Sequence, residues 1–375
     1  MKIIVLGGHV QALGIVRIFG KIGYKVYVAD TTKRNIARHS KFCAGFIFNS
    51  GIRWDAFLKS LNEGFDNSVI FPTNDEQVQL LSKNKSSLSD RFIPAVPDWS
   101  VVEKCYYKTN TYKIAESIGV EIPLTLFPKS INDLELLAKE IRYPVIIKPS
   151  IMHLFYKAFR KKVFLCNNKE ELLVNYSKTI KILPWDQIII QEIIQGDSFN
   201  NYSAGVLFDN GEALISLTAR RKRQHPLFFG NATTYAETVN IPEIHDNAVK
   251  LLKEINYSGI CEVEYKFDNL SGKYKFLEIN PRTWKWHYIS EIADTPFLEG
   301  LLDLLQGKDV PISTGYKKSA WRHMVTDLPV VFQLLFKKML RNGDSRPVIE
   351  AVWSMNDPKP MIMELIYLPF LIKTR

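Results

Sequence analysis

The sequence lacks the features that mark several common protein classes. Its four cysteines are scattered and none forms a Cys-x-x-Cys pair, so zinc and thiol-redox motifs have little support. No stretch approaches the roughly 20 apolar residues of a membrane span, and the N-terminal apolar run is too short for a signal peptide. Histidine spacing typical of metal sites is absent, and no Ser/His/Asp or Cys/His arrangement can be recognised. We therefore expect a reduced, cytoplasmic protein.

The size and charge of the chain further limit the protein classes to which it can belong. With 375 residues, of which 46% are hydrophobic, the chain can bury large cores and is expected to form two or three domains. The formal net charge of +10 suits a nucleic acid, a membrane surface or an anionic substrate. The cations cluster at 157–162 and 220–223. Phe155, Tyr156 and Phe159 lie in or beside the first cluster, but neither cluster has the interleaved aromatic pattern of a single-strand binder. This pattern favours phosphate handling and predicts no nucleic-acid partner.

The first hundred residues have the pattern of a small α/β unit. Lys2–Leu6 is typical of a buried strand, Gly7-Gly8 turns into a helix, and a second strand ends at Asp30. The turn lacks a full Gly-x-Gly-x-x-Gly, so a dinucleotide site has weak support. Asn74 or Asp75 is placed to cap the helix that follows a third strand. Open α/β sheets of this kind bind ligands at their strand ends.

A β-hairpin with converging acidic side chains is the most informative feature of the chain. Two runs of alternating apolar residues flank an Asn/Ser/Gly turn at 269–272. Alternation places Glu278 and Asn280 on one face, and Glu264 falls near Glu278 across the turn. Such carboxylates repel each other unless a cation lies between them, and Mg²⁺ takes these oxygen ligands. Arg282 can neutralise a phosphoryl group there. The simpler interpretation of the whole segment is a solvated hairpin.

Two lysines and a polar strand end precede this hairpin. Lys108 lies on a predicted helix, and Lys148 ends an apolar strand, where its stem can be buried while its ammonium meets phosphate oxygens. Another strand runs into Gln-Glu-Ile-Ile-Gln-Gly from Gln191 onward, an apolar edge whose free backbone groups suit a flat purine. The simpler interpretations are that Lys108 and Lys148 are surface lysines and that Glu192 is an ordinary exposed strand residue.

Taken in their order along the chain, these elements resemble the motifs of the ATP-grasp superfamily. From Gly7 to Arg282 the chain contains the Gly-Gly turn, two lysines, the Gln-Glu-Ile-Ile-Gln-Gly hinge, a basic segment and a Glu…Glu-x-Asn-x-Arg hairpin. The nearest subgroup comprises carboxylate–amine ligases that resemble D-aspartate ligase and carbamoyl-phosphate-synthase-like proteins. The resemblance implies a mixed α/β and α+β fold.

The resemblance also implies a domain order. A Rossmann-like pre-ATP-grasp domain would span 1–100 and a helical C-terminal extension 313–375. Between them an ATP-grasp domain would span 101–312, with a small lobe at about 115–195 and a large lobe at about 196–312.

Site residues follow from the resemblance by position. ATP and Mg²⁺, with Mn²⁺ as an alternative, are the implied cofactors. The lysines would contact the α- and β-phosphates, the hinge backbone and a Gln or Glu side chain the adenine, and an acid the ribose. The implied ATP-binding residues are Lys108, Lys148, Gln191, Glu192, Ile193, Ile194 and Asp197. The implied metal ligands are Glu264, Glu278 and Asn280.

Basic residues would contact the transferring phosphoryl group. Arg282 is one, and the cluster at 220–223 supplies the others. Arg220 and Arg223 lie three residues apart, so they cannot both point inward on a regular strand. We favour Arg223, with Arg220 as second choice.

One segment departs from the family pattern. Many ATP-grasp enzymes have a Gly-rich phosphate loop after the second lysine, whereas 150–162 contains no glycine. Close approach of its backbone to a triphosphate is therefore not expected, and side chains such as Lys157 and Arg160 would act instead as a lid. Apolar stretches with basic flanks at 328–341 and 361–375 predict helices packed on the body or on a second subunit, or an amphipathic membrane contact.

The resulting hypothesis is an ATP-dependent ligase that forms a C–N bond. A substrate carboxylate would become an acyl phosphate, and an amine would displace the phosphate. Its partners would be small-molecule carboxylates and amines, such as an amino acid joined to a peptide or a surface polysaccharide precursor. An ATP-grasp carboxylase, a non-catalytic nucleotide-binding or membrane-associated scaffold, and a dinucleotide-dependent oxidoreductase are the alternatives. A homodimer and peripheral contact with the inner membrane face remain open.

Overall fold

The computed structural model describes residues 1–139, 141–150, 152–161, 163–196, 199–227, 232–339 and 345–374. Its strands are β1 (Lys2–Leu6), β2 (Lys25–Asp30), β3 (Cys43–Phe48), β4 (Ser68–Phe71), β5 (Phe92–Pro94), β6 (Thr125–Leu126), β7 (Val145–Pro149), β8 (Phe164–Cys166), β9 (Ile188–Glu192), β10 (Asn201–Asp209), β11 (Glu212–His225), β12 (Ala232–Thr238), β13 (Gly259–Asp268), β14 (Lys273–Asn280), β15 (Ala320–Arg322) and β16 (Val348–Glu350).

The helices alternate with these strands over most of the chain. They are α1 (Val10–Lys21), α2 (Trp54–Lys59), α3 (Asp75–Lys83), α4 (Lys85–Leu88), α5 (Trp99–Tyr106), α6 (Lys108–Ser117), α7 (Ile131–Leu137), α8 (Met152–Phe159), α9 (Lys169–Thr179), α10 (Pro242–Glu254), α11 (Ser290–Ala293), α12 (Phe297–Leu305), α13 (Met324–Phe336) and α14 (Lys359–Thr374).

Contacts along the chain group it into two compact units. The first comprises Met1–Val102, Asp197–Glu262 and Asn280–Arg375, and the second comprises Glu103–Gly196 and Val263–Ile279. The chain therefore passes from one unit to the other along β13 and β14. The predicted boundaries near 100 and 312 stay predictions.

A five-stranded parallel sheet forms the N-terminal part of the first unit. Its strand order is β3-β2-β1-β4-β5. The apolar residues of β1 are buried, as a parallel sheet covered on both faces requires. The Asn74 side chain accepts a hydrogen bond from the Gln77 amide at 2.9 Å and caps α3, as the sequence predicts.

A seven-stranded sheet, in the order β14-β13-β10-β11-β12-β15-β16, forms the second layer of strands. β10, β11 and β12 pair antiparallel, and β15 and β16 add strands from the C-terminal segment. The C-terminal segment was expected to be helical. The structure shows that it contains these two strands as well as helices. The pairing of β11 with β12 shifts register at Arg221–Gln224, which marks a β-bulge.

The second unit has a sheet and core of its own. Its four strands lie in the order β6-β9-β7-β8, with antiparallel pairing. The glycine-free segment after Lys148 folds as α8, and Phe155 of that helix is fully buried against this core. The described part of 150–162 is thus mainly helical, and the phosphate contacts expected from its side chains stay a prediction.

The C-terminal segment is packed on the first unit by a buried ion pair. Arg17 Nε on α1 donates to Asp357 Oδ2 at 3.0 Å, and both side chains are almost fully buried. On α13, Val330 and Leu334 pack against Phe199 and Leu227. Packing on the main body is therefore the correct interpretation for this face. Among the described helices, none is long and apolar enough to cross a bilayer.

Candidate functional site

Both predicted phosphate-binding lysines reach the same point of β14 in the second unit. Lys108 forms an ion pair with the Glu278 carboxylate. Lys148 Nζ donates to Tyr112 Oη at 2.7 Å, and Tyr112 Oη donates to the Leu277 carbonyl at 2.8 Å. Two cations are thus tied to adjacent residues of one strand, beside a carboxylate. This arrangement fits a polyanionic ligand with a bound cation.

Tyr112 is a site residue that the sequence analysis missed. It lies four residues after Lys108 on α6, so the two side chains share one helix face. Its ring is buried and lies under the Lys148 ammonium, 4.7 Å from the nitrogen to the ring centroid. The i, i+4 spacing from Lys108 was the available signal. It could not show that Lys148 approaches from another strand.

The predicted adenine hinge lies at the end of β9. The buried Gln191 side chain donates through Nε2 to Thr125 Oγ1 at 2.8 Å. Glu192 Oε1 accepts from the Leu124 amide at 2.9 Å and from Lys275 Nζ. Burial alone lowers the pKa of Lys275, but its hydrogen bonds to Glu192 and Asp268 outweigh that effect and raise it. Glu192 Oε2 is the carboxylate oxygen left for a base amino group.

Ile193 and Ile194, the two isoleucines of the predicted hinge, come directly after Glu192. β9 ends at Glu192, and the backbone groups of Ile193 and Ile194 form no hydrogen bond to another residue that the structure describes. The chain resumes bonding at Gln195, whose carbonyl accepts from the Asn269 amide at 2.9 Å. Unpaired backbone groups at a strand end are what a purine edge needs. Asp197, the predicted ribose ligand, lies outside the described residues.

Asn280 lies in the first unit and is held by a residue that the sequence analysis missed. Its Nδ2 donates to Glu262 Oε2 at 3.3 Å, and Trp286 Nε1 donates to Glu262 Oε1 at 3.0 Å. Glu262 is buried. Its spacing of two from Glu264 on one strand was the available signal.

Arg282 is held through its whole guanidinium. Its Nε donates to Asp75 Oδ1 at 2.6 Å, Nη2 to Asn280 Oδ1 at 3.3 Å and Nη1 to the Thr283 carbonyl at 3.1 Å. Asn280 is therefore fixed at both ends of its amide. A phosphoryl role for Arg282 stays a prediction.

Arg220 and Arg223, the two candidate arginines of β11, are placed differently from the expectation. The bulge after Arg221 breaks strict alternation, so the argument that Arg220 and Arg223 must face opposite sides fails. Arg223 pairs with the buried carboxylate of Asp327 through two hydrogen bonds of 2.7 Å each. Arg220 Nε donates to the Phe199 carbonyl at 2.9 Å. Arg223 is thus strongly bound within the protein, and its catalytic role stays a prediction.

The predicted metal ligands fall on both units. Glu264 and Glu278 are half-buried carboxylates of the second unit, and Asn280 belongs to the first. Within the described ranges, no group of three or more His, Cys, Asp or Glu side chains forms a ready metal cage. A carboxylate that already takes an ammonium, as Glu278 takes Lys108, fits a Mg²⁺ ion that completes its shell with substrate oxygens. The metal assignment stays a prediction.

The aromatic residues after the hairpin belong to the core. Trp284, Trp286 and His287 are each buried and pack in the first unit. A Cβ on Gly205 would lie 2.4 Å from Trp284, so this glycine is needed for close approach of the ring. This segment is therefore part of the core.

Comparison with known proteins decides the family. Residues 108–298 match the family model described as carbamoyl-phosphate synthase L chain, ATP binding domain, which is about half of the chain. The chain belongs to this family. The ATP-grasp fold predicted from the sequence is confirmed, and with it an ATP-dependent ligase.

Relatives of this ATP-grasp chain agree with the match. D-aspartate ligase from Enterococcus faecium (strain Aus0004) is 23% identical over 303 residues, covering 74% of this chain and 70% of the relative. The biotin carboxylase domain of 2-oxoglutarate carboxylase from Hydrogenobacter thermophilus, solved with MgADP, ADP and bicarbonate, has a TM-score of 0.67 at 18% identity. That alignment covers 84% of this chain and 71% of the other.

A third similar protein has a different named activity. N5-carboxyaminoimidazole synthetase from Staphylococcus aureus, solved with ADP, has a TM-score of 0.62 at 18% identity, with 84% and 79% of the two chains covered. At this identity the solved structures establish the fold alone.

Proposed function

We propose that this ATP-grasp protein is an ATP- and Mg²⁺-dependent carboxylate–amine ligase that works through an acyl phosphate. The observation that carries the proposal is the meeting of Lys108 and Lys148 at residues 277 and 278 of β14. Lys108 pairs with Glu278, 170 residues away, and Lys148 is tied to Leu277 through Tyr112. Cations and a carboxylate placed together in this way suit a Mg-nucleotide better than a structural role on a half-exposed hairpin.

Each group has a defined part in this proposal. When bound, ATP supplies the γ-phosphoryl group and Mg²⁺ neutralises charge on its oxygens. Lys108 and Lys148 would hold the phosphates, and the backbone at 193 and 194 would hold the adenine. Glu264, Glu278 and Asn280 would hold the metal. Catalysis then rests on positioning and on charge stabilisation, so a covalent nucleophile is unnecessary.

The bond changes balance without any further reactant. A carboxylate oxygen of the substrate bonds to the γ-phosphorus while the bond to ADP breaks, which gives an acyl phosphate and ADP. The lone pair of a neutral amine then attacks the acyl carbon, phosphate leaves, and the nitrogen loses a proton. Arg282 would stabilise charge on the transferring group, with Arg220 and Arg223 as further candidates.

The D-aspartate ligase relative favours an amino acid as the carboxylate substrate. That protein aligns with 74% of this chain. An amino acid attached to a peptide or to a surface polysaccharide precursor is therefore the substrate class that we propose. A carboxylase, the activity named for the Hydrogenobacter thermophilus neighbour, is the alternative that the same ATP site would permit.

Phosphate release from ATP with Mg²⁺, measured across amino acids, sugar acids and bicarbonate, tests this function. We expect release with one amino-acid class, a new amide by mass spectrometry when an amine is added, and loss of both in Glu278→Gln. Glu121→Gln is the matched control, because Glu121 pairs with Lys273 of the same strand on the surface. Release with bicarbonate alone would identify a carboxylase. If no compound of the panel causes phosphate release and calorimetry detects no ATP binding, the scaffold hypothesis would be favoured over the enzyme.

We further propose that the enzyme acts in the cytoplasm and touches an anionic membrane through α13. Four free thiols and the use of ATP favour that compartment. Leu328, Phe332, Leu335 and Phe336 recur at helical spacing and are exposed, Phe336 by 87%, with Lys337 and Lys338 directly after them. Apolar side chains beside cations suit an anionic lipid surface.

Cosedimentation with vesicles tests this contact. Binding to phosphatidylserine vesicles is expected to exceed binding to phosphatidylcholine vesicles, and to fall in the Phe332→Ser/Phe336→Ser variant. Leu270→Ser is the control, because Leu270 is 79% exposed on the hairpin turn. Equal binding of all three proteins would remove the proposal. A concentration-dependent mass without lipid that the double variant abolishes would indicate a dimer instead.

A further inference from the structure

A polar cavity of about 370 Å³ lies in the N-terminal part of the first unit. Gly7, Asp30 and Thr73 line it, and these residues lie at or just beyond the carboxyl ends of β1, β2 and β4. β1 and β4 are neighbours at the point where the strand order reverses. Open parallel sheets bind ligands in the crevice at such a point, and the volume suits a small molecule.

Asp30 lines this cavity and has one carboxylate oxygen without a hydrogen-bond partner. The residue is 5% exposed, its Oδ1 accepts from the Thr32 amide at 3.1 Å, and its Oδ2 has no partner among the described residues. Burial raises the pKa of the Asp30 carboxyl, and the amides of Thr32, Thr31 and Gly8 and the nearby His9 offset only part of that effect. A buried acceptor without a donor is costly, so a ligand that donates a hydrogen is favoured.

The other lining groups combine donors, acceptors and one aromatic ring. Gln77 Oε1 accepts from the Thr73 amide at 2.8 Å, so Nε2 is the group that Gln77 can offer to a ligand. Asn74 likewise uses its oxygen to cap α3 and can offer its amide hydrogens. Glu76 adds an acceptor and Trp54 an indole face. Sugar hydroxyls both donate and accept, and the apolar face of a sugar ring packs on an indole.

A phosphate or a dinucleotide fits this cavity poorly. Arg53, the cation in the lining, forms two hydrogen bonds of 2.6 Å with Asp55. Asp30 and Glu76 would repel an anion. A Cβ on Gly8 would lie 2.3 Å from Asn35, so protein atoms already cover the glycine turn where a pyrophosphate would approach.

We propose that this cavity binds a neutral, hydroxyl-rich ligand of sugar type, with Asp30 Oδ2 accepting from its hydroxyl groups. Asp75, between the lining residues Asn74 and Glu76, pairs with Arg282. The cavity is thus linked through Asp75 to a candidate catalytic residue, and we assign the sugar to one of the two substrates. That assignment rests on the proposed function, whereas the binding itself does not.

Saturation-transfer NMR with the full chain, without nucleotide, tests the binding. The probes are glucose, galactose and N-acetylglucosamine, with ethylamine as a small cation. We expect at least one sugar to bind, and its affinity to fall about 10-fold or more in Asp30→Asn, because a charged acceptor becomes a donor. Glu76→Gln changes an exposed residue, and we expect it to weaken the same sugar without affecting folding. Asp90→Asn, an exposed aspartate outside the cavity, should bind as the wild type does.

Three results would overturn the proposal. One is no transfer to any of the sugars with the wild type. Another is equal sugar binding by wild type, Asp30→Asn and Glu76→Gln, which would place the sugar elsewhere. The third is an Asp30-dependent signal from ethylamine with none from the sugars, which would identify a cation site. Because no nucleotide is present, each result is independent of whether the protein turns over ATP.

Discussion

The hydroxyl of Tyr112 joins two strands of the candidate nucleotide site. It accepts from Lys148 Nζ at 2.7 Å and donates to the Leu277 carbonyl at 2.8 Å. Lys148 belongs to β7 and Leu277 to β14, so one phenol sets where the ammonium lies relative to Glu278, the residue after Leu277. We therefore propose that Tyr112 positions Lys148, the lysine predicted to bind phosphate.

Replacing Tyr112 with Phe should raise the KM for ATP. Lys148 loses its acceptor while the ring, which packs against Phe276 with centroids 6.0 Å apart, is retained. We expect a rise of about 10-fold or more, the value of one charged hydrogen bond. Tyr176→Phe is the control, since Tyr176 donates to the Pro128 carbonyl in the same unit. Identical KM values for the two variants would show that Tyr112 is only part of the core.

Glu262→Gln should weaken the binding of Mg²⁺. Glu262 accepts from Asn280 Nδ2 and Trp286 Nε1, and a glutamine can accept through only one of its two terminal atoms. Partners that orient a metal ligand change metal affinity by about 10-fold or more. The Mg²⁺ concentration for half-maximal activity should rise accordingly. Glu254→Gln, at the exposed end of α10, should leave it unchanged, and an equal value for Glu262→Gln would contradict this role.

Asp357→Ala should destabilise the whole first unit. Its carboxylate accepts from Arg17 Nε, from Ser40 Oγ at 2.7 Å and from the Lys41 amide at 2.9 Å, all buried or nearly so. Removing one partner of a buried ion pair costs about 3–5 kcal/mol of unfolding free energy. Urea unfolding measures the change. Asp303→Ala, which removes a surface pair with Lys308, should cost under about 1 kcal/mol.

A small cost at Asp357 would mean that the C-terminal segment detaches without affecting the rest. That outcome would contradict its place in the core.

The free energy of unfolding should decrease as the pH is lowered below 6.5, because of His287. Complete burial lowers the pKa of His287 to about 4, while its Nδ1–H donates to the Trp284 carbonyl at 2.7 Å. Between about pH 4 and 6.5 the unfolded chain binds a proton that the native state excludes, so acid favours unfolding. The loss over this window is on the order of 3 kcal/mol.

Urea unfolding from pH 7.5 to 4.5 checks the sign and the window. His287→Gln should be less stable at pH 7.5 and should show a shallower decline with acid, since the titrating group is gone. Parallel pH profiles for the two proteins would attribute the decline to carboxylates instead.

Much of the local structure follows from short sequence patterns. The buried strand at Lys2–Leu6, the Asn74 cap and the helix that begins at Lys108 each depend on neighbours within a few residues. The order of motifs likewise indicated the ATP-grasp fold, which the family match confirms. Periodicity and capping act over one or two turns, so a single sequence displays them directly.

The tertiary structure decided which distant groups meet. Lys108 finds Glu278 across 170 residues, Arg17 finds Asp357 across 340, and neither pairing has a local signal. The bulge after Arg221 overturned an argument from strand alternation, because one extra residue resets which face a side chain takes. The sequence by itself determined the elements and the family. Register and packing, which depend on the whole chain, decided the contacts of the site.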